Sequence, residues 1–282
     1  MTISYSPPTP IEYFANLVQT DTHFPLFEAA VAIAQDAYPL MDVESVLESV
    51  DAWLAQLRGR LAADAPPMQK LRVLNQFFFT ELHFGANLND YYDPDNSFIH
   101  KLIHTRRGIP VSLALLWMEL AQGLGLEASG VGFPGHFLVK IELPAGMAVL
   151  DPLTGHSLSR DELQQKLAPY QHVKEGVADD AVPLGLYLQA ATPREIIARM
   201  LRNLREIYKS ERAWLRLLGV QDRLLVLLPH SWEDYRERGL AHAELGHTEL
   251  ALADLEQYMC NAGATHDRER VALRASDLRT NR

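Results

Sequence analysis

Arg107-Gly-Ile-Pro-Val-Ser-Leu-Ala-Leu-Leu116, then Gly130-Val-Gly-Phe-Pro-Gly-His-Phe-Leu-Val139, then Asp151-Pro-Leu-Thr-Gly155: these stretches read in turn as a helix start, a turn entering a strand and a turn leaving one. Pro110 suits a first helical position because the amide it lacks would be unpaired there. The apolar run it opens, Ile109 to Leu126, is interrupted by Glu119 and Gln122 and closed by Gly123 and Gly125. It is shorter than the ~20 apolar residues a bilayer demands, so it reads as the buried helix of a soluble protein. Short runs rich in Val, Leu, Ile and Phe follow at Glu127–Gly132, His136–Leu143 and Met147–Leu150, split by Pro-Gly and Pro-Ala-Gly, which predicts antiparallel strands. Strands are expected only there.

This order places three chemical groups in sequence. Ser112 lies in the first turn of the helix, where unpaired amides and the helix dipole favour negative charge. His136 starts one strand and Asp151 ends the next, so as hairpin neighbours they would meet at one edge. Hydroxyl, imidazole and carboxylate in that arrangement have the roles of nucleophile, base and orienting acid. Each also has a plainer role: Ser112 as a first-turn residue bonded to backbone, His136 as a semi-buried histidine held by Asp151, and Asp151 as a turn starter before Pro152.

Upstream, helices are predicted at about Ile11–Val18, Pro25–Ala37, Val43–Leu61 and Met68–Phe84. The turn-rich loop Asn87–Ser97 and a short helix, Phe98–His104, connect them to the central stretch. Downstream come a helix at Arg160–Leu167, a linker from about Pro169 to Leu184, and only helices from Pro193 onward. Within that tail, Tyr235, Gly239, Gly246, Ala251 and Leu255 stand where a 34-residue helical-pair repeat wants an aromatic, small residues and an apolar knob; a weaker copy lies 34 residues earlier. The expected fold class is α+β, with a helical scaffold at 1–84, a mixed core at 85–180 and a helical repeat region at 181–282.

Of 282 residues, 48% are hydrophobic and 22% charged, well away from the composition of disordered chains. A formal charge of −10 repels phosphate backbones and anionic lipid, so neither nucleic acid nor a membrane is the expected partner. A single cysteine, Cys260, excludes an intramolecular disulfide and suits a reducing cytosol. The start of the chain, Met1-Thr-Ile-Ser-Tyr, lacks the pattern of a secretory signal, in keeping with a cytoplasmic location.

The segments 87–97, 107–116, 130–139 and 151–155 together resemble the SirB-type bacterial proteins, in which a transglutaminase-like domain precedes tetratricopeptide repeats. The resemblance spans nearly the whole chain. It implies a papain-like core with its small antiparallel sheet, and a nucleophilic cysteine at the helix start followed by His and Asp on successive strands. His136 and Asp151 match that pattern, but Ser112 occupies the cysteine position. A helix N-terminus and a neighbouring imidazolium readily make a thiolate, whereas a serine needs an aligned base and an oxyanion hole. Cys260 lies in the repeat region and reads as a packed helix residue.

Two functions follow as expectations. One is a non-catalytic or degenerate-site module binding a protein or peptide through its repeats. The other is a hydrolase or acyltransferase on amide or ester bonds using Ser112, His136 and Asp151. A third reading, a metal site at His100 and His104, rests only on their spacing on one helical face and lacks an HExxH pattern. No cofactor is called for, and the acidic loop fails as a calcium loop because Phe98 and His104 stand where Gly and Glu are needed. Arg106 and Arg107 are expected to pair with Asp90, Asp93 or Asp95.

Overall fold

The structure is a computed structural model of the chain and describes residues 7–170, 183–263 and 267–280. In chain order the first helices are α1 (Pro10–Leu17), α2 (Leu26–Ala32), α3 (Val43–Gly59) and α4 (Pro67–Asn75). Thr9 caps α1 in a reciprocal box, its backbone amide bonding Glu12 Oε2 at 2.8 Å while its hydroxyl accepts the Glu12 amide. Asp42 caps α3 through the amide of Glu44. The helix expected to run unbroken to Phe84 instead widens into a π turn over Gln76–Glu81, which buries Phe77 and Phe78. Phe78 stacks on Phe84 at 4.4 Å, and Trp53 meets Phe84 edge-on.

Next come strand β1 (Gly85–Ala86), α5 (Ile99–Thr105), β2 (Arg107–Gly108), α6 (Pro110–Gly123), strands β3 (Glu127–Val131), β4 (Leu138–Leu143) and β5 (Gly146–Leu150), then α7 (Arg160–Leu167) and α8 (Leu184–Tyr187). β1 and β2 form a parallel pair outside the expected strand region; at two residues each, they carry no periodicity to read. β3, β4 and β5 form the antiparallel meander predicted. β4 starts at Leu138, not His136, because the Pro134-Gly135 turn closes through His136 N to Phe133 O at 2.9 Å. Among the described residues five helices follow: α9 (Pro193–Ser210), α10 (Trp214–Leu227), α11 (Trp232–Glu244), α12 (Thr248–Asn261) and α13 (Arg268–Thr280).

The chain divides into two compact units. One contains 26–31 and 42–196. Its centre is α6, apolar on every side because ten of its residues are buried. Arg58 of α3 bonds Gly123 O at 2.8 Å, and Trp117 Nε1 donates to Asn75 Oδ1 of α4 at 3.0 Å, which ties α3 and α4 to α6. Val131, Phe133, Leu138 and Val149 of the sheet region pack with Leu163 and Leu167 of α7. Much of the expected linker, residues 171–182, lies outside the described residues.

The other unit takes residues up to Pro25, 32–41 and the chain from Ile197. In it α1 packs on α10, and α10 to α13 pack successively. Gly239 of α11 gives the close approach expected of it, since a Cβ there would lie 3.0 Å from Leu255. Ala251 and Leu255 are fully buried. The buried acids are paired, as burial requires: Asp234 with Arg205, Glu237 with Lys209 and Arg236, and Asp254 with Arg238. Cys260 is exposed on α12, a correction to its expected packing: Tyr258, two residues earlier, takes the buried position. Among the described residues no helix is long and apolar enough to cross a membrane.

Candidate functional site

The site is built around the start of α6. Pro110 occupies the first turn, and Ser112, two residues on, is completely buried. Its hydroxyl donates to Asn96 O at 2.7 Å, lies 3.1 Å from Ile109 O, and accepts the Ile109 amide at 3.1 Å. Gly108 makes this fit possible, since a Cβ there would stand 2.7 Å from Ser112 Oγ and 2.8 Å from Leu102.

Asn96 is itself buried and extends the network into the preceding loop. Its side-chain Nδ2 donates to Asp90 O at 2.7 Å and Tyr91 O at 3.3 Å, and its side-chain Oδ1 accepts from Asn87 Nδ2. Asn87 in turn accepts the Asp90 amide. Leu88, Tyr91 and Tyr92 are left exposed on this framework. Asn96 and Gly108 were missed as site residues from sequence. The dense Asn and Asp content of the loop signalled turns, but not the tie to Ser112.

His136 and Asp151 come to one edge of the meander. The register pairs Val139 with Leu150, which sets His136, before β4, and Asp151, after β5, at the same end. Burial, followed by the charge of Lys166, holds the His136 imidazole below its usual range, while the Asp151 carboxylate pulls the other way. Asp151 Oδ1 accepts the Leu153 amide at 2.9 Å, and its carbonyl accepts the amides of Thr154 and Gly155, so it also organises the turn. Gly135 is required beside His136 by its φ of +69° and because a Cβ would collide with the Tyr170 hydroxyl.

His100 is half-buried, its imidazole held below the usual range chiefly by burial, whereas His104 is exposed. Among the described residues no group of three or more His, Cys, Asp or Glu side chains is placed to hold a metal ion. The arginines depart from expectation. Arg106 ends α5 in a left-handed conformation, φ +62°, and its guanidinium lies over the rings of Trp53 and Phe84, 4.6 and 4.9 Å from their centroids. Arg107 donates to His83 O at 2.5 Å, and Asp95 pairs with Lys101 instead.

Comparison with known proteins agrees with this architecture. The transglutaminase-like superfamily matches residues 44–202, and the tetratricopeptide repeat matches 204–276. A UPF0162 protein of Xylella fastidiosa is 35% identical over 263 residues, 93% of this chain and 92% of its own. UPF0162 protein PA3419 of Pseudomonas aeruginosa is 28% identical over 90% of both chains. F-box only protein 21 of Pongo abelii is 32% identical over 159 residues, 49% of this chain and 26% of that protein. No solved structure matches. With a matched core, matched repeats and near full-length relatives, the chain belongs to the transglutaminase-like superfamily, in the SirB-type form in which tetratricopeptide repeats follow the domain and whose relatives here are the UPF0162 proteins.

Proposed function

We propose that this protein is a non-catalytic binding module of the cytoplasm, in which the cysteine position of the transglutaminase-like core has become a structural anchor and the repeat helices hold a protein or peptide partner. The observation that carries this reading is the commitment of Ser112: buried, with its one proton donated to Asn96 O at 2.7 Å. A serine nucleophile needs its oxygen open to substrate and its proton directed at a base. Successive helix pairs supply a binding surface rather than reactive groups. The −10 charge argues against nucleic acid as that partner.

The alternative, a hydrolase or acyltransferase using Ser112, His136 and Asp151, is favoured by one observation, the placement of His136 and Asp151 at one end of the β4–β5 hairpin. Labelling full-length protein with a serine-directed fluorophosphonate separates the two. The binding module predicts no labelling that depends on Ser112. Labelling abolished by both Ser112→Ala and His136→Gln would establish the enzyme instead.

A further inference from the structure

We propose that His242 and His247 form a two-imidazole site for a divalent transition metal such as zinc, at the turn joining α11 to α12. The turn is tightly built. Gly246 takes φ +74°, and His247 N donates to His242 O at 2.9 Å, so the two residues are held across the turn by backbone. Their Nδ1 atoms face each other at 3.3 Å, with ring centroids 5.5 Å apart and planes inclined by 50°.

That separation is the informative number. Two imidazole nitrogens, each ~2.0–2.1 Å from a tetrahedral zinc ion, stand about 3.3 Å apart, the edge of the coordination tetrahedron. Without metal the same separation serves an N–H···N contact between the two rings. Metal would take Nδ1 of both rings, each keeping its proton on Nε2. The ring that carries its proton on Nδ1 without metal moves it to Nε2, so no net proton is lost.

The charged groups around His242 are Arg238 of α11, Asp254 of α12 and Asp222 of α10. Arg238 is itself paired to both of those acids, which limits its repulsion of a cation. His247 is exposed, leaving the remaining coordination positions to water or to a donor from a partner. A metal there would tie the two most closely packed repeat helices together at their turn.

The test uses the full-length chain with Cys260→Ser, which removes the exposed thiol, titrated calorimetrically with zinc chloride at neutral pH. One zinc ion should bind and raise the melting temperature. His242→Gln and His247→Gln should each cost at least the roughly 10- to 100-fold that loss of a supporting partner costs a metal site. Copper(II) used as a spectroscopic probe should report two imidazole nitrogens in the parent and one in His247→Gln. Zinc affinity unchanged in the double variant would overturn the proposal. Because His247 is exposed, His247→Gln keeps the test decisive if His242→Gln misfolds, with circular dichroism as the folding control.

Discussion

Replacing Ser112 by alanine and by cysteine measures what the first turn of α6 is built for. The hydroxyl gives one bond to Asn96 O and accepts one from Ile109 N, both buried. Orphaning a buried partner costs about 1–3 kcal/mol, and here the cost falls at the lower end, about 1–2 kcal/mol, because Ile109 N also reaches Asn96 O at 3.3 Å. Cysteine should be no better than alanine. A sulfur cannot keep a 2.7 Å approach to a carbonyl beside Gly108, and overpacking a tight site costs roughly 1–3 kcal/mol. Urea denaturation with an unchanged slope gives the loss directly, and melting should fall by about 2–4 °C per kcal/mol for a unit of this size. Hydrogen exchange should quicken across Asn87–Asn96, the segment that Asn96 organises. A Ser112→Cys protein as stable as the parent, with a thiol that alkylates rapidly at neutral pH, would refute the reasoning: it would mean that the position has room for a thiol and is open to reagent.

Three further outcomes are expected. Gly135→Ala should destabilise through both backbone strain and collision with Tyr170, and adding Tyr170→Ala should recover the steric part only, leaving roughly the 1–3 kcal/mol of a strained conformation by denaturation. The imidazole of His136, followed by NMR, should titrate below the usual histidine range; Lys166→Gln should raise its midpoint and Asp151→Asn should lower it further. Because the folded state disfavours the charged ring, stability from this group is present above the unfolded histidine pKa and declines as pH falls below it. Glu162, bonded to the Ser159 cap and to His156, should titrate at about 2, so its support of α7 is full above the usual carboxylate range and is lost as pH falls from about 4.5 toward 2; Ser159→Ala should move the titration back up.

Long periodic elements and punctuated turns were legible in the sequence. The meander and the repeat positions Gly239, Ala251 and Leu255 are local in their physics: short runs rich in branched and aromatic residues split by Pro-Gly turns, and small residues at fixed offsets. What escaped depends on partners distant in the chain. The parallel strands β1 and β2 join residues 85–86 to 107–108. The tie between α3 and α6 comes from Arg58 reaching Gly123. At the site, the edge shared by His136 and Asp151 followed from two turns, while the partner of Ser112 did not, because Asn96 arrives from a loop whose path no periodicity records.

The packing of α1 on α10 also sets an order of events during synthesis. About 200 residues separate the two helices, so at ~5–20 residues per second α1 waits roughly ten to forty seconds for its partner to be made. Everything needed for the α6-centred unit is translated in that interval. Its core can therefore close while the first helix of the chain is still without a place to bury Phe14. A nascent chain stalled between residues 196 and 214 would display that apolar face, making it a natural hold point for a chaperone and the stage at which truncated products should aggregate.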